Sequence, residues 1–313
     1  MTVLTLVNHK GGTGKTTSAL HLAAAFGHAG YRVLLVDLDP QGFLTRTLGV
    51  EEPPPEQSSA VLFELNRSLR DVAPVPCSGF DLVPASMALT RLMRNLNKPA
   101  DVLWAKDSLQ QAPEGYDLVL LDTAAAVTVL SLNALVASQH CVIPVTPEHQ
   151  PVLGGEQTFQ TVKLVQSKLN PDLSDPLFLL TAVDRRKGTH AAYQQMLHEV
   201  YGPLVLPSVI RTSTSLSRTY PRGTTVFDHD VTGRGALDYA NAADALGRVM
   251  QQGSLRTAVR GRDASLHATL PRTGAVPPGP AEAAPSEAGS GPEAMGAEPG
   301  SEAGASPAWS PVE

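Results

Sequence analysis

The stretch that decides the fold is Val7-Asn8-His9-Lys10-Gly11-Gly12-Thr13-Gly14-Lys15-Thr16-Thr17. An apolar, strand-like run at 3–7 precedes it, and an Ala-rich helical pattern at 19–26 follows. Strand, glycine-rich turn and helix together form the setting of a phosphate-binding loop. Glycines let the backbone approach a polyphosphate with no Cβ in the way. Successive N–H groups then point inward, and the positive end of the next helix faces the anion. In that setting Gly11, Gly12, Thr13, Gly14, Lys15, Thr16 and Thr17 form the cradle. Lys15 reaches the β- and γ-phosphate oxygens, and the Thr16 hydroxyl is offered to Mg2+. The generic pattern G-x-x-x-x-G-K-[ST] asks for glycine at position 9, where His9 stands, and a second lysine, Lys10, lies inside the loop. A loop with lysine at both ends, K-G-G-x-G-K-T, is much rarer by chance than the generic motif.

Outward from the loop, apolar strand-like runs recur at 32–37, 80–83, 118–122, 141–145 and 177–183, with a weaker one at 204–210. Helical patterns are expected at 60–69, 87–97, 102–111, 155–169, 189–201 and 235–252, and the Pro- and Glu-rich residues 51–59 as a surface loop. Continuous apolar runs alternating with helices predict an α/β fold, a doubly wound, mostly parallel sheet with helices on both faces. Ligands of such sheets collect at the carboxyl ends of the strands. The polar residues of interest fall at those ends: the loop itself, Asp37-Leu38-Asp39, Asp122-Thr123, and the stretch from Pro144 to Glu148.

The chain has 313 residues, 42% hydrophobic and 17% charged, enough for a full core. Its formal charge is −6, and residues 273–313 hold six glutamates and no lysine or arginine, which leaves residues 1–272 at zero. An anionic partner must therefore meet a local patch, since the body has no global positive field. Residues 1–252 read as one domain. Residues 253–313, Pro/Gly/Ala-rich and acidic, read as a disordered tail with too little apolar surface to offset its ordering entropy. Cys77 and Cys141 lack metal-ligand spacing, Cys141 reads as core, and both suit a reducing cytoplasm. No cationic region precedes an apolar segment at the N-terminus, and no apolar run is long enough to span a membrane. His9, His149 and His190 are not paired at ligand spacing and read as surface or core; Trp104 and Tyr193 read as core.

Asp37 and Asp39 flank Leu38 at a strand end, so alternation sends both carboxylates to one face. One would sit in the outer shell of Mg2+ and the other would orient or activate the attacking water. Asp122 closes the run Leu118-Val119-Leu120-Leu121, the apolar-strand-plus-Asp form of a Walker B segment.

Taken together, K-G-G-T-G-K-T-T, V-D-L-D-P-Q-G, Y-D-L-V-L-L-D-T and V-I-P-V-T-P-E resemble the ParA/MinD group of deviant-Walker ATPases, with ParA/Soj-type partition ATPases the nearest likeness over about residues 1–250. The resemblance implies a P-loop NTPase fold with ATP and Mg2+ as cofactors. It implies that Lys10 is the signature lysine, reaching the partner's phosphates across a nucleotide-sandwich homodimer. Lys15 and Thr16 match the phosphate and Mg2+ positions, Asp39 the aspartate that supports water attack, Asp122 the acid near Mg2+, and Asp37 a residue of the magnesium shell. A cation delivered in trans neutralises developing phosphate charge only once two protomers meet. Two stretches depart from the family. Ala124-Ala125-Ala126 stands where Pro-Pro is usual, and Ile210-Arg211-Thr212-Ser213-Thr214-Ser215-Leu216-Ser217-Arg218 replaces an I-P-R-x-x-R-x-x-E-like segment.

Arg211, Arg218, Arg222 and Arg234 still cluster in sequence and are candidates for salt-dependent, sequence-independent contact with duplex DNA. Arg185, Arg186 and Lys187 join them, or else lie near the nucleotide base or the dimer edge. The expected function is a cytoplasmic, nucleoid-associated DNA-partition ATPase, for a chromosome or a plasmid. It would dimerise on ATP, bind DNA non-specifically and hydrolyse on stimulation by a ParB-like partner. The competing classes are a MinD-like positioning ATPase, which needs a basic amphipathic C-terminal helix, an iron–sulfur carrier, which needs Cys pairs, and a nucleotide-gated clamp with very slow turnover.

Overall fold

The computed structural model describes residues 1–64, 67–219 and 223–252. In chain order its elements are β1 (Thr2–Leu6), α1 (Lys15–His28), β2 (Val33–Asp37), α2 (Phe43–Thr47), β3 (Val75–Pro76), β4 (Asp81–Val83), α3 (Ala88–Asn95), α4 (Trp104–Gln110), β5 (Leu118–Asp122), α5 (Val129–Ala137), β6 (His140–Val145), α6 (His149–Lys168), β7 (Leu177–Val183), α7 (Gly188–Tyr201), β8 (Val205–Arg211), α8 (Thr214–Thr219), α9 (Val226–His229) and α10 (Arg234–Gln252). The eight strands form one sheet in the order β3-β4-β2-β5-β1-β6-β7-β8. Every pairing is parallel except β3 with β4, a short antiparallel edge that the sequence did not foretell.

β1 sits between β5 and β6, and the chain must cross a neighbour to reach β2 on one side and β6 on the other. That reversal makes the carboxyl end of β1 the switch point of the sheet. Register fixes what gathers there: Leu6 pairs with Asp122, and Asp37 with Asp122. Three strand ends therefore finish level.

β1, β2, β5 and β6 are buried on both faces, which explains their unbroken apolar runs. Val3, Leu34, Val36, Val119 and Leu121 pack against Leu109 of α4 and Leu130 and Ala134 of α5. α1 is covered by α10, so even its alanines 23–25 are buried. A Cβ on Gly27 would come within 1.6 Å of Gly79 O, so the far end of α1 meets the turn before β4 backbone to backbone.

The expected helix at 60–69 is instead a pair of 3₁₀ turns, Ser59–Phe63 and Leu69–Asp71, with residues 65 and 66 outside the described set. Ser59 donates its N–H to Pro84 O and its hydroxyl to Asp37 O, which pins the segment to the sheet edge. Ala60 to Phe63 are then buried all round, and a one-faced helix is not what they form. α6 starts at His149, six residues before the expected 155, because Pro151 falls in its first turn, where a missing N–H costs nothing. Cys141 is core as expected, while Trp104 and Tyr193 are only half-buried.

Candidate functional site

Residues remote in sequence hold the loop after β1. Asn8, buried at the strand end, donates its side-chain amide to Pro144 O on β6 at 2.8 Å and accepts the Lys10 N–H at 2.9 Å. The His9 N–H reaches Thr158 Oγ1 on α6 at 3.0 Å, and Thr181 Oγ1 on β7 donates to Thr13 O at 2.8 Å. Gly12 and Gly14 have φ of 76° and 82°, a region that favours glycine. Gly14 is the N-cap of α1 and has no side chain to bond the first-turn N–H groups, which remain donors for an anion. A Cβ on Gly154 would stand 2.8 Å from Lys10 Cβ, and one on Gly155 2.8 Å from Val145 Cγ2. The Gly-Gly pair thus lets α6 lie against both the loop and β6.

Lys15 is buried, and its Nζ donates to the Lys10 carbonyl at 3.1 Å. Burial pulls the Lys15 pKa below the ordinary lysine value, with Asp122 and Asp39 acting the other way. The Lys10 side chain is exposed, Gly11 and Gly12 form the exposed loop tip, Thr13 is buried, and Thr16 and Thr17 are half-buried. Burial, then the Lys15 charge, lowers the pKa of His9.

The three aspartates differ in how they are held. Asp37 is fully buried; its Oδ2 accepts from the Thr45 N–H at 3.0 Å and the Thr45 hydroxyl at 2.7 Å, and its Oδ1 from the Asp39 N–H at 3.0 Å. Burial pushes its pKa up to about 6 against the pull of those bonds, and the Asp39 charge adds to the rise. Asp39 is half-buried in a tight turn, its Oδ1 accepting the Gln41 N–H at 2.9 Å and its carbonyl the Gly42 N–H at 2.8 Å. Asp122 is fully buried, and among the described residues neither of its carboxylate oxygens finds a hydrogen-bond donor. Burial, then the neighbouring Asp37, raises its pKa well above the usual carboxylate range. The Thr16 hydroxyl and the Lys15 ammonium are close enough to favour its ionised form, but no hydrogen bond to it is completed.

Among the described residues no three His, Cys, Asp or Glu side chains cluster as a metal cage. The site offers instead a carboxylate with two unused oxygens beside a hydroxyl. That donor set suits magnesium, which keeps several waters and takes one or two carboxylates plus substrate phosphate.

Comparison with known proteins agrees with this geometry. Residues 1–175 match a family model described as an AAA domain. The sporulation initiation inhibitor protein Soj of Bacillus subtilis is 31% identical over 246 residues, 77% of this chain and 96% of that protein. The chromosome-partitioning ATPase Soj of Thermus thermophilus is 35% identical over 243 residues, 77% of this chain and 93% of that protein. The chain belongs to the Soj/ParA family. Among solved structures, cobyrinic acid a,c-diamide synthase from Mycobacterium smegmatis, with ADP and magnesium bound, is similar at a TM-score of 0.64 and 31% identity, over 80% of this chain and 96% of that one.

In this Soj/ParA chain the basic residues singled out in sequence divide into two kinds. Arg211, expected at DNA, has its guanidinium on Asp238 of α10: Nε lies 3.1 Å from Oδ1 and 3.0 Å from Oδ2, and Nη2 donates to Oδ1. The Arg211 N–H also reaches Asp238 Oδ2 at 2.9 Å, so the pair ties β8 to α10. Arg186 is taken by Asp184 at 2.8 Å, and Lys187 lies 3.5 Å from Glu148. Arg185, Arg218 and Arg234 are exposed. Arg222 lies outside the described residues.

The Ala124-Ala125-Ala126 stretch passes over the loop tip, with Ala125 Cβ 3.9 Å from where a Cβ on Gly11 would stand. Sequence reasoning missed Asn8, Thr45, Thr158, Thr181 and the Gly154-Gly155 pair. Their signal was small: a hydroxyl or amide next to an apolar run, and two glycines in a helical pattern.

Proposed function

We propose that this chain is an ATP-dependent DNA-partition ATPase acting on a chromosome or plasmid. The observation that carries the reading is the level meeting of three strand ends. It brings buried Lys15, half-buried Asp39 and the unbonded Asp122 carboxylate to one edge, beside uncapped helix N–H groups. The loop N–H groups and Lys15 would bind the phosphates of ATP, with Gly11 to Thr17 as the cradle. Asp122 and Thr16 would hold magnesium, with Asp37 behind them keeping the β2 turn in place through Thr45. Magnesium there would supply positive charge to the β- and γ-phosphate oxygens. Asp39, at the mouth of the site, would orient and deprotonate the attacking water.

The exposed Lys10 side chain is free to reach a second protomer, so hydrolysis would wait on a homodimer. The dimer would bind DNA non-specifically within the cytoplasm, on the nucleoid, and a ParB-like partner would stimulate turnover. Among the described residues no helix is long and apolar enough to cross a membrane. The one-domain reading of 1–252 stands as part of this proposal; the tail expected at 253–313 lies outside the described residues.

The test is binding of the purified chain to random-sequence duplex DNA with ATP, ADP or no nucleotide, at two salt concentrations. Binding that needs ATP, weakens with salt, persists in Asp39→Ala and fails in Lys10→Ala supports the reading. Absence of binding in every state removes it. A second reading, a nucleotide-gated clamp with very slow turnover, is favoured by the alanine stretch over Gly11. ATP turnover that stays at its basal rate with DNA and partner present would select it.

A further inference from the structure

We propose that the outer side of α3, bearing Arg91 and Arg94 with Lys98 just beyond the helix, is a contact face for duplex-DNA phosphates. The inference rests on the DNA-binding reading above and adds to it a surface outside the C-terminal segment.

Charge is the first argument. From Leu82 to Ala100 the chain has no acid and three cations, Arg91, Arg94 and Lys98. All three are exposed, and no ion pair within 4.0 Å engages any of them among the described residues. After β7 and in β8, by contrast, Asp184 and Asp238 neutralise Arg186 and Arg211, while Arg218 and Arg234 are exposed as the α3 arginines are. A body of zero net charge can attract a polyanion only where cations stand without their own acids. α3 is such a place.

Geometry is the second. Leu89 is buried and Leu92 and Met93 pack against the core, which fixes the opposite side of α3 outward. Arg91 and Arg94 are three residues apart and so are neighbours on that side. Phosphate contact asks for cations in a row and no particular base edge.

Connection to the nucleotide edge is the third. The segment entering α3 donates the Ala85 N–H to Thr45 Oγ1 at 2.8 Å, and the same hydroxyl donates to Asp37. Ser59 ties the neighbouring turn to the Asp37 carbonyl at 2.6 Å. The segment leading into the basic helix is therefore hydrogen-bonded, through one threonine, to the strand end that carries Asp37. Met87, 70% exposed just before α3, gives an anionic lipid surface a claim on the same face, but Leu89, Leu92 and Met93 face the core and leave α3 no apolar side to enter a bilayer, which favours nucleic acid.

The experiment measures affinity of the full chain for a random-sequence duplex, with ATP, across a salt series. Wild type, Arg91→Ala/Arg94→Ala, Arg91→Lys/Arg94→Lys and Arg218→Ala are compared, with basal ATP turnover and thermal midpoint as checks on folding. The alanine pair should lose about 10-fold or more in affinity at low salt, and its slope of log K against log salt should fall by about 2, one for each phosphate contact. The lysine pair should keep the wild-type slope. An alanine pair that binds like wild type, with a wild-type slope, overturns the proposal while leaving DNA binding itself intact. A wild type that binds no DNA in any nucleotide state overturns the parent reading instead. Loss of binding to phosphatidylserine vesicles in the alanine pair, with DNA affinity unchanged, assigns the face to lipid and overturns the proposal as well.

Discussion

The loop after β1 and the segment from β8 to α10 are both polar and both near chain ends of strands, yet they are bonded in opposite ways. At the loop, local bonds such as Lys10 to Asn8 are joined by three that reach across the fold, from Asn8 to Pro144, His9 to Thr158 and Thr13 to Thr181. In the C-terminal region the bonds are shorter in sequence and mostly pair a cation or hydroxyl with an acid, Arg211 with Asp238 and Ser215 with Asp230. Long-range anchoring fixes where backbone donors point, and that is what phosphate recognition needs. Local neutralisation glues elements together and removes charge from the surface. Cations in a row of sequence are thus a poor guide to a basic face, because their acids arrive from elsewhere in the fold.

The largest effect that tests this contrast belongs to the loop. Lys15→Ala should lower ATP turnover by about 10²–10³-fold with the thermal midpoint kept or raised, since a buried ammonium is removed. Turnover within a few-fold of wild type would mean that the loop is not the reacting site. Next comes Asp37, whose folded pKa of about 6 lies above the ordinary carboxylate value. Between pH 4 and 6 the folded state holds a proton that the unfolded chain has released, so stability falls as pH rises through that window. Asp37→Asn should make the dependence shallower, a relative change on the order of 2–3 kcal/mol by pH 7, with the share of Asp122 remaining. Urea midpoints at each pH would show it, and parallel curves for the two proteins would refute it.

At the C-terminal region, Asp238→Ala strands a partly buried guanidinium and should cost about 2 kcal/mol in stability. Arg211→Ala should likewise lower the thermal midpoint. A variant that keeps its midpoint and loses DNA affinity would return Arg211 to the binding surface and break the comparison. The smallest effect is expected at Gly154→Ala, whose added methyl presses on Lys10 Cβ at a cost of about 1 kcal/mol. ATP-dependent dimerisation, followed by light scattering, should weaken more than the midpoint does; equal losses would deny the contact a role in aiming Lys10.

Much of this was legible in sequence. The seven strand-like runs correspond to β1, β2, β4, β5, β6, β7 and β8 within a residue or so, because strands buried on both faces must be apolar throughout. Asp37 and Asp122 could be named as strand-end acids, but their pairing across β2 and β5 is a fact of register. α5 was not foreseen, since its helix is buried nearly all round and carries no polar face to set a period. Thr45 was invisible because one hydroxyl serving two remote partners leaves no pattern. The division between free and neutralised arginines was hidden for the same reason, since Asp238 lies 27 residues beyond Arg211.

The meeting of Gly27 with Gly79 sets a limit on how this chain can change length. α1 begins at the phosphate loop with Lys15 and touches the turn before β4 twelve residues later at Gly27, a span of about 18 Å. One inserted or deleted residue within it would rotate the far end by about 100° and bring a side chain, or the wrong side of the helix, against the Gly79 carbonyl. The helix is a spacer of fixed count: its buried residues from Ser18 to Phe26 admit little change of volume, and its length admits no insertion. Length variation in such a chain belongs to its surface loops, such as residues 49–57.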